Sequence, residues 1–181
     1  MPSAIVSVYD KTNLERIGYV LNSKGYDIYA TPGTYRYLQE HHIPANEIEE
    51  YCKNPPGYNC FFSSLSFNSL VGVLSADNVM VFDSVVKKID IVVYNFVPTW
   101  DIISNVNDFN IANVDLGGPA IVRAAAINYL HTLPIVSPSQ YPIIEQDGAI
   151  SDVTRLKLAK DAFDYCSWYD QQLSRFLASS L

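Results

Sequence analysis

Apolar and polar positions along this 181-residue chain alternate between short β-branched runs and helical stripes. Ala4-Ile5-Val6-Ser7-Val8 is short and almost wholly apolar, the pattern of a buried strand. Leu14, Ile17, Val20 and Leu21 then recur at helical spacing, with Asp10 as the expected N-cap and Gly25 as the stop. Tyr26-Asp27-Ile28-Tyr29-Ala30 predicts a second strand, and Thr31-Pro32-Gly33-Thr34 a turn into a helix over Tyr35 to Glu40. Strand, helix, strand, turn and helix at this spacing predict βαβ units and therefore a parallel sheet.

Asn54-Pro55-Pro56-Gly57 interrupts the pattern, and the charge-free run Tyr58 to Ser69 predicts a loop or irregular helix over the sheet. Leu70 to Leu74 and Ile89 to Val93 read as strands, the second nearly continuous in Ile and Val, as strands covered on both faces are. Asn95-Phe96-Val97-Pro98 ends it. Leu133 to Ser137 predicts a last short strand. Asp152 to Leu177 predicts a long helix with Val153, Leu156, Ala159, Ala162 and Phe163 on its buried face. Without a repeat or linker, residues 1–181 are expected to form a single domain of α/β class.

Between these elements, a short apolar run from Asn110 to Val114 ends in Asp115-Leu116-Gly117-Gly118-Pro119, followed by a segment of strong helix formers. The glycines permit a sharp turn and close approach of a ligand to the backbone. Pro119 suits a first helical turn, and the free N–H groups there attract anions. Read locally, the segment is either a Gly-rich strand-to-helix connection or an anion site. Ser7 to Thr12, Thr31 to Thr34, Asn95 and Asp115 to Gly118 all fall at strand C-terminal ends, where parallel sheets place ligands.

Composition narrows the chemistry. A net charge of −7, with twelve Lys and Arg scattered singly, leaves no basic stripe for a nucleic-acid backbone. Three cysteines without CxxC spacing argue against a disulfide framework or zinc site and fit a reducing cytoplasm. His41, His42 and His131 lack metal-ligand spacing. Neither a signal-like N-terminus nor a membrane-length apolar run is present, so a cytoplasmic protein without metal, cofactor or membrane partner is expected. Thirteen tyrosines are many for a chain this poor in charge, compatible with an oligomer surface or a thick core.

Assembled, these residues make the chain resemble the IMP cyclohydrolase domain of the bifunctional AICAR transformylase/IMP cyclohydrolase. The matching segments are Ser7 to Thr12, Ala30 to Thr34, Leu70 to Leu74, Ile91 to Asn95, Val114 to Gly118 with Arg123 to Asn128, and Thr154 to Asp170. They run in order from about Ala4 to Leu177, and nothing corresponds to the transformylase half. The resemblance implies a methylglyoxal-synthase-like fold: three layers, α/β/α, with a mainly parallel sheet and a C-terminal helix. It also implies a homodimer and a ring closure in which a carboxamide nitrogen attacks a formamide carbon on a phosphoribosyl imidazole and water leaves. Such a reaction depends on holding the two groups together and stabilising charge on the formyl oxygen.

Carried over residue by residue, the resemblance assigns a small phosphorylated or nucleotide-like ligand to Ser7, Lys11, Thr12, Thr31, Gly33, Thr34, Gly117 and Gly118. Asn95 and Asp115 become the catalytic candidates. The family's Arg, Lys and His in Gly-Arg-Val-Lys-Thr-Leu-His-Pro are replaced by Phe61, Ser63 and Ser66; its Tyr by Val97; and a helical Lys and His by Ile127 and Tyr129. A charge-assisted contact typically contributes about 1.5–3 kcal/mol, so the loss of three cations alters the chemistry. Phe61, Phe62, Phe67, Val97 and Ile127 are then expected to line an apolar half of the pocket, with Tyr58, Asn59, Cys60, Ser63 and Ser66 as possible new polar participants. Three functions follow: an enzyme with an altered cyclisation or dehydration, a non-catalytic binding or scaffold homologue, and a genuine IMP cyclohydrolase with a rearranged site.

Overall fold

The computed structural model describes residues 1–54, 63–81, 83–98 and 114–179. Its strands are β1 (Ser3–Val8), β2 (Asp27–Ala30), β3 (Asn46–Glu47), β4 (Val79–Val81), β5 (Ser84–Val86), β6 (Ile91–Asn95) and β7 (Leu133–Ile135). Its helices are α1 (Leu14–Ser23), α2 (Pro32–Glu40), α3 (Ile48–Cys52), α4 (Phe67–Leu74), α5 (Gly117–Ile127), α6 (Pro142–Glu145) and α7 (Asp152–Ser179). Five strands form a parallel sheet in the order β3-β2-β1-β6-β7, while β4 and β5 pair antiparallel as a separate hairpin.

Side chains alternate across a strand, so each central strand feeds two cores. β1 sends Ala4, Val6 and Val8 to one face and Ile5 to the other; β6 sends Ile91 and Val93 one way and Val92 and Tyr94 the other. The first face packs against Leu14, Ile17 and Leu21 of α1, Leu38 of α2 and Ile144 of α6. The second packs against Ile48 and Tyr51 of α3, Val73 of α4, Ile121 and Ala125 of α5, and Ala162 and Tyr169 of α7. Three layers, α/β/α, result. Helix α7 closes the β7 side and serves both cores, the first through Leu158 and the second through Ala159.

Four sequence expectations are corrected. Leu70 to Leu74 is helical, because Ser66 and Ser69 form a reciprocal cap at the start of α4: the Ser66 hydroxyl accepts from Ser69 N at 2.9 Å and the Ser69 hydroxyl from Ser66 N at 2.8 Å. Strand β6 starts at Ile91 rather than Ile89, since the Asp90 carboxylate accepts from Ser3 N at 2.9 Å and Ile91 pairs with Ala4. Asp10 does not cap α1. Its carboxylate accepts from Thr12 N at 2.9 Å, and the helix begins after Asn13 in a left-handed conformation (φ 58°). On α7, Val153 is 79% exposed, and Leu156 and Phe163 are exposed too. The buried stripe is Leu158, Ala159, Ala162, Cys166 and Tyr169, whose small members let α7 lie close to α5.

Candidate functional site

From β1 the chain moves outward to β2 and β3, then returns to the other side of β1 through β6 and β7. A parallel sheet opens a crevice beyond its strand C-termini at such a reversal. A cavity of about 230 Å³ lies there. Ser7 and Lys11 line it from the end of β1, Thr31, Gly33 and Thr34 from the start of α2, and Asn95, Val97 and Asp115 from the β6 side.

The β1–β2 wall is a set of linked hydroxyls around one ammonium. Thr31 Oγ1 donates to Ser7 Oγ at 2.8 Å. Thr34 Oγ1 accepts from Val8 N at 3.0 Å and from Lys11 Nζ at 3.4 Å, and Lys11 also donates to the Val8 carbonyl. Burial pushes the Lys11 pKa down, against the opposing charge of Asp10. A Cβ placed on Gly33 would meet nothing within 4 Å, so packing does not demand glycine there and the backbone stays open to the cavity.

On the opposite wall, Asn95 Oδ1 accepts from both Tyr9 N (2.7 Å) and Asp10 N (2.8 Å). The amide oxygen therefore pins the turn after β1, and only Nδ2 remains for a ligand. Asp115 is partly buried; burial raises its pKa, while the N–H of Gly118 and the hydroxyl of Tyr94 pull it down. Gly118 N donates to Asp115 Oδ1 at 2.7 Å. The free helix terminus expected to attract an external anion is thus capped by the chain's own carboxylate. A Cβ on Gly118 would stand 2.6 Å from Asp115 Oδ2 and 2.5 Å from a Tyr94 ring carbon, so this close approach requires glycine.

Tyr94 was not singled out from the sequence. It sits opposite Ser7 in the β1–β6 register and is buried. Its hydroxyl bonds to Ser64 Oγ at 3.1 Å, and its ring and the Asp115 carboxylate both crowd Gly118. Burial, followed by the charge of Asp115, raises its pKa strongly. Ser7, bonded to Thr31, stands in register with Tyr94, and Tyr94 lies beside Asp115, so these residues adjoin one another from one wall to the other. The available signal was a polar-tipped residue in an otherwise aliphatic strand, one position before Asn95.

Several sequence candidates lie elsewhere. Gly117 and Gly118 are buried behind Asp115 and do not line the cavity, and Thr12 is exposed outside it. Ser66 is committed to the α4 cap, Ser63 stands away from the cavity wall, and Phe67 is exposed. Ile127 is 67% exposed at the far end of α5 and lines no part of the cavity, because about nine residues of helix, each rising roughly 1.5 Å, separate it from Gly118. Phe61, Phe62, Tyr58, Asn59 and Cys60 lie outside the described residues. Among the described residues no group of three His, Cys, Asp or Glu is placed to hold a metal, and no helix is long and apolar enough to cross a membrane.

The MGS-like domain family matches residues 14–112, more than half of the chain. The chain belongs to that family. The matched span carries the Thr31–Thr34 and Asn95–Val97 parts of the cavity. "Bifunctional purine biosynthesis protein PurH" of Caldicellulosiruptor bescii is 35% identical over 185 aligned positions, covering 96% of this chain and 36% of that protein. The PurH of Buchnera aphidicola subsp. Schizaphis graminum is 34% identical over 185 positions, covering 96% and 35%. The MGS-like chain therefore spans about a third of the length of these curated relatives. A solved structure described as "Crystal structure of ForH" matches with a TM-score of 0.79 at 25% identity, over 97% of this chain and 98% of that one. Kinship with PurH and a methylglyoxal-synthase-like α/β fold are established at family level.

Proposed function

We propose that this MGS-like chain binds a phosphorylated, nucleotide-like molecule between β1, β2 and β6 and closes a ring on it with loss of water. One observation carries the reading: the cavity gathers hydroxyls and the Lys11 ammonium at one end and a partly buried carboxyl of raised pKa, Asp115, at the other. The first end suits a phosphate, held by Lys11, Ser7, Thr31 and Thr34. The second suits proton transfer, because a carboxyl shifted toward neutrality exchanges protons most readily near working pH. An attacking nitrogen bonds to a formyl-type carbon and gives its proton to Asp115. Asp115 passes it to the oxygen, which becomes a hydroxyl; a second proton, lost by the ring nitrogen that then forms the C=N bond, reaches that hydroxyl as the C–O bond breaks and water leaves. Val97 lines the cavity where the resembling family has a tyrosine, which favours a less polar ring partner than the inherited one.

The PurH relatives support placing the ligand among purine precursors, in the cytoplasm, with no cofactor needed for such a closure. A thermal-shift series with nucleotides, sugar phosphates and IMP tests binding. A true ligand at about 100 times its Kd stabilises the fold by roughly 2.7 kcal/mol. No shift with any phosphorylated compound overturns the reading. Asp115→Asn is expected to abolish turnover while binding changes only a few-fold; unchanged turnover removes Asp115 from the chemistry. Absorbance assay with the formylated aminoimidazole carboxamide ribonucleotide separates the inherited reaction from an altered one. Binding without turnover of any formylated precursor identifies a non-catalytic homologue.

A further inference from the structure

We propose that a second cavity, beyond the C-terminal ends of β6 and β7, is a binding site for a flat, positively charged group such as an aryl amidine. Its volume is about 450 Å³, larger than the first cavity and within the range of small-molecule sites. Among the described residues the two share only Tyr9 and Asn95 as lining residues.

Aromatic rings build one wall. Phe96 stacks on Tyr165 with centroids 4.6 Å apart at 21°, and Tyr165 on Trp168 at 5.8 Å and 12°. A planar ring packs favourably beside aromatic side chains, and an aromatic face attracts a cation. The Tyr165 hydroxyl accepts from Phe96 N at 2.9 Å, which locks the innermost pair in place.

Charge selects the sign of the ligand. Among the described residues, Asp10 and Asp161 are the charged ones lining this cavity, and no Lys or Arg lines it. Asp161 Oδ2 accepts from Gln140 Nε2 at 3.1 Å, and Gln140 is itself held because its Oε1 accepts from Val136 N at 2.9 Å. Asp10 is kept below the usual carboxylate range by hydrogen bonds from Thr12. Beside this cluster, the buried hydroxyl of Tyr141, next in sequence to Gln140, has no hydrogen-bond partner among the described residues and feels the Asp10 charge. Where the first cavity offers hydroxyls and an ammonium, the second offers two carboxylates and ring faces. An anion is disfavoured and an aromatic cation is matched on both counts.

The proposal is independent of the ring-closure reading, and calorimetry at low salt tests it directly. Benzamidine is the probe, with benzamide and benzoate as neutral and anionic copies of its shape. Benzamidine is expected to bind at least fivefold more tightly than benzamide, and benzoate not to bind. Asp161→Asn and Trp168→Ala, both at partly exposed positions, are each expected to weaken benzamidine about three- to fivefold. Thermal melting of both variants verifies that they are folded. Equal binding of benzoate, unaltered benzamidine affinity in both folded variants, or no benzamidine binding at millimolar concentration overturns the proposal. None of these outcomes bears on phosphate binding in the first cavity, which is read separately with inorganic phosphate.

Discussion

Asp115 is held by Gly118 N–H in surroundings that still disfavour its charge, and burial is the dominant cause. Its folded pKa lies above the unfolded value of about 3.9, so the folded state keeps the proton longer. Stability therefore declines as pH rises from the unfolded pKa through the folded one. Asp115→Asn removes that titration and retains an oxygen for Gly118 N–H. Thermal melts between pH 4 and pH 8 are expected to show the variant gaining on the wild type as pH rises. A gap that is constant or closes with rising pH contradicts the raised pKa. At the same scale, Asp115 and Asn95 were both legible as candidates, but their roles were not. Asn95 spends its oxygen on two backbone N–H groups, and Tyr94 lies between Ser7 and Asp115. Hydrogen-bond partners some 85 residues apart in the chain leave no local pattern to read.

Helix α7 reaches both the end of β6 and the start of α5. Tyr165 accepts from Phe96 N and Tyr169 accepts from Asp115 N at 3.0 Å, so tyrosines one turn apart hold both backbone positions. Tyr169 is fully buried and its ring tilts against Phe96 at 4.9 Å. Tyr169→Phe keeps the packing but leaves Asp115 N without its acceptor, a loss expected to cost about 1–3 kcal/mol in urea or thermal melts. No measurable loss would mean that water replaces the hydroxyl. The element was legible in the sequence, and of the face expected to be buried Ala159 and Ala162 are so, while Val153, Leu156 and Phe163 are not. Val153, Leu156 and Phe163 make an apolar stripe of correct period, yet α7 is rotated so that Ala162, Cys166 and Tyr169 meet α5 and the site. Small residues and tyrosine hydroxyls won over the larger aliphatics. Likewise Leu70 to Leu74 carries β-type residues, and the Ser66–Ser69 cap with packing on α3 made it a helix.

For the whole molecule, the rotation of α7 has a consequence. Val153, Leu156 and Phe163, together with Ile127 and Leu130 at the end of α5, remain exposed on the outside of the fold. Exposed apolar side chains favour a second copy of the chain as cover, which is also what the family resemblance implies. We expect a homodimer; light scattering at micromolar concentration should give twice the chain mass, and a monomeric mass refutes the expectation. The cavity draws on β1, β2 and β6 at the reversal of the sheet, so its existence follows from topology once the strands are in order.

Period and composition by themselves determined the α/β class, the parallel sheet and the order of most elements, because strand and helix periods are local properties of the chain. They also brought Ser7, Lys11, Thr31, Gly33, Thr34, Asn95 and Asp115 under suspicion, since ligand residues in parallel sheets gather at strand ends. Tertiary structure alone decided which of these face one cavity, since that depends on the register of β1 against β6 and the close seat of Gly118 on Tyr94. It also decided that Ile127 stands in solvent and that a second, acidic and aromatic cavity opens beside the first. Facing and distance arise only when segments far apart in sequence pack together.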